Sequence, residues 1–251
     1  MEEKGRKWVF VDCHAHPDNI NLVDKAIERA NIEVWINSTG PEDIGQAIAI
    51  SSRVRSKLFV GLHPAEAERS MGFLNDLGKL LERADGIGEI GLDGKCSDSM
   101  DVQLEVLRFQ LGLAEKRSLP VVLHSRNAVS RVLEEISTYD LKSVLFHWFS
   151  GSWVELKQVL DRGYYISVGP TILYSKKSGK VLKASYEQHL LLLETDSPVY
   201  YAPVRKEADP TLIVSVYLSA AQILGLTFEE FVDEMWKASR IFMRKAFKSI
   251  L

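Results

Sequence analysis

The stretch VDCHAHPD, residues 11–18, sets His14 and His16 one residue apart at the end of an apolar run, with Asp12 before them and Pro17 behind. Along a regular strand, side chains two residues apart share a face, so Asp12, His14 and His16 are expected to form one column, with Cys13 facing away from it. Two protonated imidazoles at that spacing repel each other. A cation held between two neutral rings removes the conflict, and neutral imidazole is the commonest metal ligand in proteins. A hydrogen-bonded histidine pair at a strand end is the other reading, and this stretch alone leaves both open.

Those side chains need a scaffold, and the chain supplies a regular one. Short β-rich runs occur at WVFVDCHAH, EVWINST, LFVGLHP, GIGEIGLD, PVVLHS, SVLFHWFS, YYISVGP and LLLLETDSP. Helical periodicity fills the intervals at residues 22–30, 41–53, 71–83, 101–117, 128–137, 153–162 and 176–186. A closing helical region, residues 210–247, is expected to break at GLTFEE, where Thr227 and Glu230 have the spacing of a capping box. Eight strands alternating with helices in 251 residues predict an α/β chain folded as a (β/α)₈ TIM barrel. An open doubly wound sheet is disfavoured because no G-x-G-x-x-G follows the first strand. With no linker-like tract and no repeat, residues 1–251 read as one domain.

On this scaffold His14 and His16 close strand one, His63 closes strand three and Glu89 lies in strand four. His124 closes strand five, His147 lies in strand six and Asp196 closes strand eight. In a barrel these strand ends converge on the face where active sites of the fold are built, and five of the six histidines fall there. The sixth, His189, precedes strand eight and is expected at the opposite rim. Setting His63 aside leaves four histidines and two carboxylates, too many for one tetrahedral catalytic Zn²⁺ with three protein ligands and a water. Two ions bridged by a carboxylate account for six, and Glu89 on the middle strand is the natural bridge. Two metals about 3.5 to 4 Å apart can share an activated water and clamp a scissile phosphate or carbonyl, which makes the chemistry hydrolysis. By strand alternation Asp93 falls with Glu89, Glu194 with Asp196 and Asp12 with His14, as acids suited to fixing imidazole tautomers.

Composition narrows the partners. A net charge of -3 and a pI near 6.1 argue against a protein that coats nucleic acid by bulk electrostatics, so any polyanion must be held locally. The amino terminus has no apolar run between its charges and the first strand, and no apolar stretch approaches the roughly 18 residues of a membrane span. Cys13 and Cys96 read as reduced thiols, so a cytoplasmic location without membrane association is expected.

Taken in order, VDCHAHPD, GLHP, GEIGLD, LPVVLHSR, HWFSG and LLLETDSP resemble the motif series of the TatD family of metal-dependent deoxyribonucleases, in the amidohydrolase superfamily. The likeness runs from residue 11 to about residue 198, and LGLTFEEF resembles the family's closing segment. It implies a distorted barrel, two divalent metal ions and phosphodiester hydrolysis. It assigns His14, His16, Glu89 and Asp196 to one metal and Glu89, His124 and His147 to the other, with Asp196 also the general base. His63 resembles a residue that contacts substrate, and the forked donors of Arg126 suit a phosphate oxygen. The donor set suits Zn, Mn, Ni, Fe or Mg. The chain departs from the family pattern at Gly94, where an aromatic is usual, at Ala208 and Asp209, which replace an Asn-Glu pair, and at Ser239, where Asn is usual.

The expected substrate is DNA, as single strands or frayed 3′ ends, because a pit walled by βα loops suits a chain end and the acidic chain lacks an extended basic face. Lys176, Lys177, Lys180, Lys183, Arg205 and Lys206 are local phosphate contacts in this reading, and Trp148, Tyr174, Tyr200 and Tyr201 are stacking surfaces. The alternative is a carboxylic ester or amide hydrolase, such as a D-aminoacyl-tRNA deacylase, on the same metal site. A binding module without catalysis is disfavoured because every ligand position is filled.

Overall fold

The computed structural model describes residues 8–18 and 20–247; the charged amino-terminal residues 1–7 read above lie outside the described residues. Eight parallel strands carry the fold: β1 (Phe10–Ala15), β2 (Ile32–Asn37), β3 (Ser56–Phe59), β4 (Ile87–Gly91), β5 (Val121–His124), β6 (Val144–Phe146), β7 (Tyr165–Val168) and β8 (Leu191–Leu193). Ladder pairing joins β1-β2-β3 and, separately, β4 through β8 in sequence order. Isolated bridges, Phe59 with Gly86 and Ala15 with Ser197, close the two seams. Val60 N donates to Gly86 O at 3.2 Å and Gly88 N to Val60 O at 3.3 Å between β3 and β4, while Asp196 N donates to His14 O at 3.0 Å and His16 N to Ser197 O at 2.7 Å between β8 and β1. The result is the expected (β/α)₈ barrel, distorted at its seams.

Among the described residues ten helices surround it: α1 (Ile20–Ala30), α2 (Pro41–Ser51), α3 (Ala67–Ser70), α4 (Leu74–Leu80), α5 (Met100–Arg117), α6 (Val129–Ile136), α7 (Trp153–Asp161), α8 (Lys176–Glu187), α9 (Ile213–Leu224) and α10 (Phe228–Phe247). Local chemistry explains their limits. α6 buries Val129, Val132, Leu133 and Ile136, one face at helical spacing. Thr227 Oγ1 accepts the Glu230 amide and donates to its carboxylate, starting α10 as predicted, and Gly225 ends α9 at φ 73°. The helix expected over residues 71–83 shrinks to α4 between two 3₁₀ turns, where Gly72 and Gly78 weaken helical propensity. A small hairpin, β9 (Tyr200–Tyr201) with β10 (Lys206–Glu207), was not foreseen. Among the described residues no single helix is long and apolar enough to cross a membrane.

The barrel interior is a packed plug. Val11, Cys13, Trp35, Phe59, Val122, Leu145, Tyr165 and Leu192 cluster with Phe242 and Met243 of α10. Trp35 stacks between Phe59 and Phe242 at 5.6 and 5.5 Å, and Ser143, just before β6, donates to Phe242 O, so α10 seals the amino-terminal end of the barrel. This corrects the expected column on β1. The β1–β2 register slips between Asp12 and Ala15, three residues of β1 spanning two of β2, as a bulge requires. Val11 and Cys13 alternate into the inner cluster, so Cys13 faces away from Asp12 as expected, whereas Asp12 is held by Thr195, its Oδ1 accepting the Thr195 amide at 2.9 Å and its Oδ2 the hydroxyl at 2.5 Å. Asp12 orders the β1–β8 seam and does not orient a histidine ring.

Candidate metal centre

Every predicted site residue reaches the carboxyl-terminal mouth of the barrel, though several stand on loops and not on strands. Glu89 is mid-β4, His14 is in β1 and His124 is the last residue of β5. His16 and His147 each lie one residue past their strands, Asp196 three past β8, and His63 four past β3, where it caps a 3₁₀ turn. Strands three, six and eight are shorter than the apolar runs suggested, ending at Phe59, Phe146 and Leu193. Gly91 is indispensable here. At φ 149° it pairs with His124, and a Cβ on it would stand 2.0 Å from the His124 carbonyl oxygen. His189 precedes β8 at the opposite rim, as expected.

Glu89 is the hub. Its Oε2 lies 3.3 Å from His14 Nε2 and 3.5 Å from His16 Nε2; its Oε1 lies 2.6 Å from His124 Nδ1 and 2.7 Å from His147 Nε2. Asp196 Oδ1 completes the first side at 3.5 Å from His14 Nε2 and 3.3 Å from His16 Nε2. His63 Nε2 stands 3.5 Å from Glu89 Oε1 on the second side. Donor atoms of His14, His16 and Glu89, of His14, His147 and Asp196, and of His63, Glu89 and His124 each gather within 4.8 Å, the spacing a bound cation needs.

Electrostatics shows what the cluster is built to hold. Burial opposes ionisation of Glu89, but the imidazoles of His147, His63 and His14 outweigh it and hold the carboxyl well below the usual range. Burial likewise resists charge on His16, yet Asp196 and Glu89 overcome it and raise its pKa to about 9. Against the same burial, Glu89 and Glu194 raise His147, and Asp93 and Glu89 raise His124. His14 moves the other way, lowered by burial and by its neighbour His147, whose ring stacks on it at 4.0 Å. Buried anionic oxygens thus demand positive charge, while His14 cannot supply it as a proton. Both nitrogens of His14 and Nδ1 of His147 are buried without a hydrogen bond, a cost of about 1–3 kcal/mol each. A divalent cation among these donors meets both needs, and imidazole with carboxylate suits first-row divalent metals.

A surrounding set of partners orients the rings. His16 Nδ1 donates to Asn37 O at 3.1 Å, so in the neutral ring Nε2, turned to Glu89 and Asp196, is the lone-pair nitrogen. Asp93 Oδ2 sits 3.0 Å from His124 Nε2, and Glu194 Oε1 3.7 Å from His147 Nδ1, so both acids take the places expected of them. Ser167 Oγ fixes Glu194 by donating to Oε2 at 2.6 Å. Sequence reasoning missed Gln103 and Gln110, both buried in α5. Gln103 accepts the Asp93 amide at 2.8 Å and donates to the Asp93 carbonyl at 3.2 Å; Gln110 grips the Leu62 amide and carbonyl, beside His63, at 2.8 and 3.1 Å. Two amides seven residues apart on an otherwise apolar helix face were the available signal.

The expected substrate contacts fare unevenly. Arg126 spends Nε and Nη2 on Asp93, with Nη2 at 2.8 Å from Oδ2. Lys176, Lys177, Lys180, Lys183, Arg205, Tyr174 and Tyr200 are exposed, Trp148 is half-buried and Tyr201 is buried, so Tyr201 offers no stacking face. The Lys206 side chain lies outside what is described. Gly94 has no room for the usual aromatic, since a Cβ would lie 2.9 Å from Asn127 O. Asp209 caps a 3₁₀ turn through Thr211, and Ser239 is buried in α10 with its hydroxyl on Trp236 O, so neither departure touches the histidine cluster.

A barrel whose mouth gathers five imidazoles around one buried carboxylate belongs to the metal-dependent hydrolase class. Comparison with known proteins is more specific. The profile of the family described as TatD related DNase matches residues 11–244. An uncharacterized metal-dependent hydrolase of Methanocaldococcus jannaschii is 27% identical, covering 95% of this chain and 98% of its own. Deoxyribonuclease TATDN3 of Homo sapiens is 28% identical, covering 89% and 90%. The crystal structure of YjjV, a TatD homologue from Escherichia coli, superimposes with a TM-score of 0.81 at 26% identity, covering 93% of this chain and 97% of that one. The chain belongs to the TatD family of hydrolases.

Proposed function

We propose that the protein is a deoxyribonuclease that hydrolyses phosphodiester bonds with two divalent cations, one held by His14, His16, Glu89 and Asp196 and the other by Glu89, His124 and His147. The observation that carries this reading is the orientation of Glu89, whose Oε2 faces His14 and His16 while its Oε1 faces His124 and His147, with His63 beside them. The similarity to a protein named deoxyribonuclease over most of both chains supports DNA as the substrate class. When bound, the cations would bring the pKa of a water to about 7 and neutralise charge on the scissile phosphate.

The chain's own residues divide the remaining work. Asp196 is the general base. Its side chain is 19% exposed, against 2% for Glu89 and 1% for Asp93, so it alone of these acids meets an incoming water. Burial would protonate it, but His16, His14 and His147 hold its pKa low, so it stands ready as a carboxylate. Asp93 holds the outer nitrogen of His124 at 3.0 Å, and the Glu194 carboxylate stands 3.7 Å from the outer nitrogen of His147 as its counter-charge. His63 has a different part. Its Nδ1 accepts the Ala65 amide at 3.0 Å, so the proton of the neutral ring sits on Nε2, which makes it a donor to a phosphate oxygen and not a ligand. Arg126 offers its remaining guanidinium donors at the rim, where 56% of its side chain is exposed. The test is hydrolysis by the metal-loaded protein of a single-stranded oligodeoxynucleotide and, in parallel, of a D-aminoacyl-tRNA. Turnover of the second alone overturns the reading in favour of an ester hydrolase.

A further inference from the structure

We propose that Trp153, with Lys177 and Lys180, forms a separate binding site for a single DNA strand, stacking one base next to the nucleotide under attack; this rests on the deoxyribonuclease reading above. Trp153 opens α7, directly after the loop that carries His147, and Lys177 and Lys180 lie in the first half of α8, which follows β7 after a 3₁₀ turn, Pro170–Leu173. Both helix starts belong to the carboxyl-terminal end of the barrel, the end that holds the histidine cluster. Between them lies an open crevice of about 410 Å³, lined by Trp153, Leu156, Val181, Gly151 and the two lysines.

Three features give this crevice its ligand chemistry. The Trp153 side chain is 62% exposed at the rim of the site, and among the described residues it has no aromatic partner, so its face is free. Tyr174, across α8, already pairs with Tyr201 at 6.1 Å. The lining carries two ammonium groups and no carboxylate. Glu155, the acid of that turn, is not among the lining residues and its oxygens are taken up locally, accepting from the Ser152 amide at 2.8 Å and from the Ser130 hydroxyl at 2.9 Å. Lys177 Nζ donates to Ser150 O at 3.1 Å, which ties the lysine to the His147 loop and leaves further donors on the same ammonium. A planar apolar face beside two cations is the combination that holds a nucleotide strand by base stacking and phosphate contact, and it is tolerant of sequence. On a chain of net charge -3 it supplies the local attraction that the whole molecule lacks.

Fluorescence anisotropy of the metal-loaded protein with a labelled phosphorothioate 12-mer, which resists hydrolysis, tests the site. Trp153→Ala is expected to weaken binding about tenfold or more, and Trp153→Phe to restore most of it. Lys177→Ala with Lys180→Ala is expected to make the dependence of log K on log salt shallower by about 1.4, or 0.7 for each phosphate no longer neutralised. Replacing nucleotides one at a time by abasic residues should find a single position at which the Trp153→Ala penalty vanishes, as two partners of one interaction require. Wild-type affinity retained by Trp153→Ala, or a penalty that no abasic position removes, overturns the proposal. Cleavage of an unmodified 12-mer by the wild type is scored separately, so loss of the deoxyribonuclease reading and loss of the Trp153 site give different results.

Discussion

Gln103 holds Asp93 by both of its backbone polar groups, accepting from the amide nitrogen at 2.8 Å and donating to the carbonyl oxygen at 3.2 Å. Asp93 in turn faces His124 Nε2 at 3.0 Å, so a helix behind the barrel sets the direction of a ring at its mouth. Gln103→Leu strands two buried backbone groups and is expected to lower stability by about 2 kcal/mol or more. It should also weaken metal binding about 10- to 100-fold, the usual cost of losing an outer partner. Urea unfolding with metal titration measures both, and an unchanged metal affinity refutes the positioning role.

Asp196→Asn keeps an oxygen donor but loses the proton acceptor. The expected loss is about 10² to 10⁴ in kcat with the fold intact. Unaltered turnover at unaltered circular dichroism would reject Asp196 as the base.

The division of Glu89 predicts a metal count. Glu89→Gln should lower occupancy on both sides together, whereas His124→Ala should empty chiefly one. Elemental analysis of dialysed and remetallated protein reads this directly, and a wild type that never exceeds one equivalent removes the bridging role.

The raised pKa of His16 fixes a sign for pH dependence. Folding of the metal-free protein raises this group from an ordinary 6.5 to about 9, so the stability it contributes is complete below 6.5 and disappears as pH rises through about 9. His16→Gln should therefore flatten the fall in metal-free melting temperature over that window. Metal must displace the same proton, so affinity should climb with pH up to about 9, with proton release seen by calorimetry in buffers of different ionisation enthalpy. Affinity independent of pH between 6.5 and 9 contradicts this assignment.

Strand ends should be preferred over duplex interiors. With end-labelled and internally labelled oligonucleotides and Mg²⁺ or Mn²⁺ supplied, release of mononucleotides from 3′ termini is the expected course. Rapid internal cleavage of a blocked-end duplex would rule it out.

The sequence by itself determined the barrel and the identity of its polar mouth, because period-2 and period-3.6 apolar patterns set the elements, and strand order then carries residues near 14, 63, 89, 124, 147 and 196 to one rim. Alternation even placed Asp93 and Glu194 behind their histidines. It failed at β1 for Asp12, which is bound to Thr195 across the seam, and the register slips between Asp12 and Ala15, since parity along a strand holds only while the register does. Only the tertiary structure decided which oxygen of Glu89 faces which histidines, that His63 Nδ1 accepts the Ala65 amide, and that Gln103 and Gln110 steady the loops at the mouth. Each of these is a hydrogen bond or close polar contact whose partner is chosen by packing and not by local sequence, often across tens of residues.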